Sequence, residues 1–200
     1  MDRILLAISS AVIGAISTHI YTIFKEKSRK SQIEKQLKLE LSDIRLQLQQ
    51  QLTVYEDAFS LITQSSYPNV LPRSVVAPIY DEFFSEVLLQ TKSEHRLAYQ
   101  KIHHDLSVVN RFNVLWQEEF VIQQKKIYQK GLNPTIEDVK YIIELAENAY
   151  FNACVTSWYI TRFLENEEQS IWTFEDSIND DYKRQVQTII AKIEQIRPSR

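Results

Sequence analysis

Between Ile4 and Phe24 the chain runs for 21 residues without a formally charged side chain, taking His19 as neutral. That length matches the roughly 20 residues an α-helix needs to cross a hydrocarbon core about 30 Å thick. Ten of the 21 are Ile, Leu, Val or Phe, each contributing roughly -0.3 to -0.6 kcal/mol at a helix centre, so the gross gain is about -3 to -6 kcal/mol. Three Ser, two Thr, Gly14 and His19 offset part of it. The pattern predicts a single-pass transmembrane anchor over residues 1–24, with the lipid bilayer as its first partner. Arg3 stands beside Asp2 on one flank, whereas Lys25, Lys27, Arg29 and Lys30 lie on the other. Positive charge is retained on the cytoplasmic side, so the rest of the chain is expected in the cytoplasm, with these four residues at the membrane interface.

A cleaved secretory signal is the alternative, because Arg3 precedes an apolar run and Gly14 and Ala15 are small. Cleavage would export the domain. Against it, the apolar run continues through Ile16, Ile20 and Ile23, and a cut after Ala15 would put Ile13 three positions before it. Small residues also recur every four positions, as Ala7, Ala11 and Ala15 and as Ser10 and Gly14. Such stripes let membrane helices approach closely, so a homo-oligomer is a natural expectation.

Glycine occurs only twice, at Gly14 and Gly131. Phosphate-cradling loops need several glycines close together, which excludes a P-loop or a dinucleotide fold. Sheets with many tight hairpins also need more glycine, so the fold class is all-α. With 44% hydrophobic residues the 200-residue chain can bury a sizeable core. The single cysteine, Cys154, lies in the uncharged run 148–161 and reads as a small buried hydrophobe.

Residues 25–66 contain neither Pro nor Gly. Their apolar positions Ile33, Leu37, Leu41, Ile44, Leu48, Leu52, Tyr55, Phe59 and Ile62 follow an eleven-residue repeat, which gives a nearly straight stripe. A juxtamembrane and stalk helix over 25–64 is expected to continue the anchor, about 57 Å long from Lys25 to Ile62. Leu39 and Leu46 are expected to widen its buried face.

The remainder of the bundle, 65–200, begins with a connection broken by Pro68, Pro72 and Pro78. A second helical region spans 79–130, with Tyr99, Ile102, Leu106, Val109, Trp116 and Phe120 on its apolar face. As one straight helix it would outrun the stalk, so either it breaks, with the polar stretch His103 to Asn113 favoured, or its Lys125, Lys126 and Lys130 end meets the headgroups. Gly131, Asn133 and Pro134 stop it, and Thr135 with Asp138 forms an Asp variant of a capping box for a third helix to Glu165. A last helix runs from Ser177 to Ile196. Anchor and stalk thus lead into a four-helix bundle.

No histidine follows an acid by three residues, and HExxH is absent, so neither metal nor cofactor is expected. The adjacent His103, His104 and Asp105 diverge on a helix and cannot jointly face one ion. Adjacent acids such as Glu118 with Glu119 and Asp180 with Asp181 read as solvated faces. Residues 25–30 hold four basic groups and one acid, while residues 31–200 hold 18 basic and 24 acidic ones. That acidic domain disfavours nucleic acid as a partner.

Arg96 and His103, two turns apart on one face, are similar in spacing to the Arg-x4-6-His element of HEPN ribonucleases, which are also four-helix bundles. The likeness covers eight residues, and Leu97 departs from the polar residue that family favours. It implies Arg96 on a scissile phosphate and His103 in proton transfer. Trp172 and Phe174, in an acidic loop, are candidate contacts for an unknown cytoplasmic protein partner. The leading expectation is a membrane-anchored interaction or scaffold module without catalytic activity. The alternatives are the HEPN-like ribonuclease and a bundle that senses a small ligand.

Overall fold

The computed structural model describes residues 2–63, 70–89, 91–130, 136–165 and 176–196, and every element among them is a helix. α1 is Asp2–Thr63, α2 Pro78–Val87, α3 Ser93–Lys130, α4 Ile136–Glu165 and α5 Asp176–Ile196. The all-α expectation holds.

α1 is a single helix of 62 residues, roughly 93 Å long. Its inner half carries the stripe read from the sequence: Ile33, Leu37, Leu41, Ile44, Leu48, Tyr55 and Phe59 are all buried. Leu39 and Leu46 are a correction. They are 66% and 54% exposed, because α4 and α2 cover only the stripe itself and no described element reaches that flank. Residues 12–29 are exposed throughout. Among the described residues no helix is long and apolar enough to cross a membrane, and the side chains of residues 4–11 lie outside those described.

The second helical region is two helices, and the break falls at Leu88 to Lys92 instead of His103 to Asn113. Neither Pro nor Gly marks that break. α2 ends where Thr91 donates both its N–H and its hydroxyl to the Val87 carbonyl, each at 2.9 Å. The stretch 103–113 stays helical because its polar groups have tertiary partners: Asn110 and Asn113 bind the segment before α2.

Contacts between elements fix the directions. Arg29 meets Glu86, and Glu40 meets the start of α2, so α2 descends beside α1. Tyr80 meets His103 and Phe84 meets Tyr99, so α3 runs antiparallel to α2 and rises parallel to α1. α4 descends between them, with Tyr150 beside Tyr55 and Phe163 beside Tyr99. α5 rises again, pairing Asp181 with Arg162 at one end and Lys192 with Glu56 at the other.

α4 therefore sits at the centre, touching α1, α3 and α5. The backbones of α1 and α3 do not approach closely, and the stacked rings of Tyr55 and Trp116, centroids 5.5 Å apart, fill the gap. Both side chains are fully buried. At about 25 cal/mol per Å2, rings of this size supply several kcal/mol of burial each. α5 is the least buried helix, with Ile189 as its one fully covered hydrophobe among the described residues.

Candidate functional site

The stretch from Leu71 to Ala77 is extended, and the sequence dictates this. Pro72 and Pro78 bias the residues before them away from the helical region, and Ala77 has φ -137° and ψ 61°. Burial alternates accordingly: Val75 and Ala77 point inward, whereas Ser74, Val76 and Pro78 face out.

An extended segment between two helices has no ladder to satisfy its backbone, so side-chain amides do it. From α1, Gln51 accepts from Arg73 N–H and Gln47 from Val76 N–H, both at 3.2 Å. From α3, Asn110 accepts from Val75 N–H and donates to the Val75 carbonyl, both at 2.8 Å. Asn113 donates to the Arg73 carbonyl at 3.0 Å, and Gln117 donates to that of Pro72. Asn113 accepts in turn from the Tyr55 hydroxyl at 2.5 Å, tying the segment to the core.

α2 begins with Pro78 at its first position and lacks a side-chain cap of its own. Glu40 of α1 supplies it, accepting from Ile79 N–H at 2.6 Å and Tyr80 N–H at 2.9 Å. A carboxylate at a helix N-terminus also complements the dipole. Glu40 is only 6% exposed. Burial raises its pKa above the ordinary 4.5, against the lowering effect of the two N–H donors, and Asp81 and Asp43 add to the rise.

Beside this segment lies a groove of about 790 Å3 between Ser74–Pro78, the first turn of α2 and the α3 face bearing Gln100, His103 and Ser107. Two of its lining rings, Tyr80 and His103, stack at 3.5 Å with an interplanar angle of 10°, and Phe84 backs Tyr80 at 4.4 Å and 23°. Burial pushes His103 down to about 4, so its imidazole is neutral at physiological pH. His103 Nε2 is buried without a hydrogen-bond partner.

Arg96 and His103 are both half-buried. Arg96 donates to the Leu88 carbonyl at 3.3 Å, closing the end of α2, while His103 packs on Tyr80. His104 is exposed, and Asp105 is buried and paired with Lys101, so the adjacent trio diverges. Among the described residues no group of three or more His, Cys, Asp or Glu could hold a metal ion.

A second polar cluster joins α5 to α1 and α4. Glu56 accepts from Lys192 at 2.5 Å and from the Tyr150 hydroxyl at 2.9 Å. Burial raises Tyr150 to about 12 and Cys154 to about 11, so Cys154 is a protonated, unreactive thiol at neutral pH. Asp181 corrects the reading of a purely solvated acid pair, because it bridges Arg162 of α4 and Arg184 of α5.

Of the basic residues that follow the uncharged segment, Arg29 pairs with Glu86 at 2.9 Å and Lys30 with Glu26 at 2.8 Å. Lys25 and Lys27 are exposed. Trp172, Phe174 and the capping pair Thr135 and Asp138 lie outside the described residues or side chains. The amide ladder and the Glu40 cap are the features that sequence reasoning missed. Gln47 with Gln51, and Asn110, Asn113 with Gln117, do recur at helical spacing, but their partners are 22 to 45 residues away.

No family model matches the chain, and neither a curated protein nor a solved structure does.

Proposed function

We propose that the chain is a membrane-anchored interaction or scaffold module, with its apolar N-terminal segment in the bilayer and its helical bundle presented to a cytoplasmic protein partner. The observation that carries this reading is the continuity of α1: one helix runs from the uncharged segment into the stripe that organises the core. Two details support it. Thr18 and Thr22 donate their hydroxyls to the carbonyls of Gly14 and Thr18, both at 2.9 Å, so neither hydroxyl would need water in a bilayer. Arg29 then meets Glu86 where the bundle begins, next to the basic run 25–30.

The test compares the full chain with a variant lacking residues 4–24, each bearing a C-terminal reporter. The full chain should sediment with membranes, resist carbonate extraction and report from the cytoplasm, and the shortened chain should not sediment. A full chain recovered in the carbonate-soluble fraction, or a reporter active only outside the cytoplasm, would overturn the proposal. Crosslinking in membranes reads the associated expectation of a homo-oligomer.

The groove of about 790 Å3 favours a second reading, a bundle that senses a small ligand, since drug-sized molecules occupy sites of about 300–1,000 Å3.

A further inference from the structure

We infer that the groove beside the pinned segment takes a flat organic cation, an aromatic amidine or protonated heteroaromatic amine, stacked on His103 with its charge at Asp81. The inference rests on the ligand-sensing reading and names its ligand class; it is independent of the membrane anchor.

Shape comes first. Phe84, Tyr80 and His103 form three nearly parallel rings, and Tyr80 is covered on both faces. His103 ends the stack: it lines the groove and has no second ring partner among the described residues. A planar ligand would continue the series at the usual stacking distance.

Charge comes second. Asp81 is the one formally charged side chain lining the groove, taking the histidines as neutral, and it has no ion-pair partner among the described residues. Glu40 lies close enough to sense the charge of Asp81, so the local field is negative. A neutral imidazole face does not repel a cation, and ring faces attract one. Gln100, Ser74 and Ser107 add hydrogen-bonding groups at the walls. An anionic ligand would meet the same carboxylate with no basic side chain in the lining to offset it.

The four histidines provide the readout, because His103 and His104 line the groove while His19 lies on the outer half of α1 and His95 packs on Phe163. The full-length chain, carbon-labelled at histidine and held in detergent, is titrated with benzamidine, benzamide and benzoate. Benzamidine should shift the His103 and His104 resonances saturably and leave His19 and His95 in place. Benzamide should bind more weakly and benzoate not at all. Asp81→Asn, an exposed change that keeps the shape, should weaken benzamidine by about two- to fivefold and leave benzamide unchanged. Equal affinity for benzamidine and benzamide, or an Asp81→Asn variant that binds benzamidine unchanged, overturns the cation assignment while leaving a ligand site. Absence of groove-localised shifts with all three probes overturns both the inference and the reading beneath it.

Discussion

The two halves of α1 share one backbone and a one-sided apolar pattern, and they differ in what covers it. Over 33–59 the buried apolar residues form one stripe, and the faces beside it carry Gln47, Gln51 and Glu40, each bonded to a neighbouring element. Over 12–24 Val12, Ile13, Ile16, Ile20, Ile23 and Phe24 share about a third of the circumference, and all of them are exposed. An apolar stripe of either kind calls for an apolar neighbour; the inner one has it in α2 and α4, and the outer one has none among the described residues. The difference teaches where the fold stops: Arg29 and Glu86 mark the boundary, and stability should respond to substitution only on one side of it.

The sharpest contrast comes from removing one aliphatic side chain on each side. Leu48 is fully buried, so Leu48→Ala should cost about 2–5 kcal/mol through lost burial and a cavity. Ile16 is exposed, so Ile16→Ala should change bundle stability by under about 0.5 kcal/mol. Denaturant unfolding followed by tryptophan fluorescence measures both. Equal losses would mean that the outer half packs on the bundle after all.

Next in size is the Glu40 cap, which tests whether the inner half organises its neighbours as well as its core. Glu40→Ala leaves the Ile79 and Tyr80 N–H groups unpaired and should cost about 1–3 kcal/mol. Glu40→Gln keeps an acceptor and should cost less. The pH dependence separates the charge from the bond. A carboxyl raised above 4.5 favours its protonated form in the fold. Its contribution is fully present below the unfolded value and declines as pH rises through the folded one. Glu56 has the opposite sign: hydrogen bonds from Lys192 and Tyr150, with the Lys192 charge, outweigh burial and lower its pKa. Its contribution is present above the unfolded value and is lost as pH falls through the folded one. Unfolding measured from about pH 4 to 7 should therefore lose a stability decline in Glu40→Gln, and unfolding measured below about pH 5 should lose an acid-induced decline in Glu56→Gln.

These cases also show how much of the molecule is legible in its sequence. The α1 stripe is legible because helix period and burial are both local properties, and Tyr55 and Phe59 fall on it as Leu37 and Leu41 do. Leu39 and Leu46 are not, since an eleven-residue pattern cannot say which flank gains a neighbour. The Leu88 to Lys92 break is hidden for a related reason. No Pro or Gly marks it, and it exists because α2 is tied to α1 by Glu40 and Arg29 while α3 packs on α4. Asn110 and Asn113 resemble helix breakers because their propensity is poor, yet they are spent on carbonyls and amides 35 and 40 residues away. At the groove, His103 is conspicuous in the sequence, but its stacking partner Tyr80 arrives only through the fold.

A smaller effect comes from Lys192→Ala, which removes the link from α5 to Glu56. The pair is roughly half exposed, so a loss of under about 1 kcal/mol is expected. Hydrogen exchange in α5 should rise while that of α4 holds, because α4 is packed on three sides and α5 mainly on α4.

The smallest stability effect falls on the boundary itself. Arg29 and Glu86 are exposed at 63% and 36%, so Arg29→Ala should leave unfolding nearly unchanged, within about 0.5 kcal/mol. If the outer half lies in lipid, the same substitution should weaken attachment to anionic bilayers by about 1 kcal/mol, the usual contribution of one basic residue near the headgroups. Sedimentation with vesicles containing phosphatidylserine and with neutral vesicles separates the two roles, since loss of a headgroup contact lowers binding only on the anionic ones. A substitution that lowers bundle stability by more than 1 kcal/mol and leaves anionic-vesicle binding unchanged would move the boundary outward, making Arg29 part of the bundle instead of its edge.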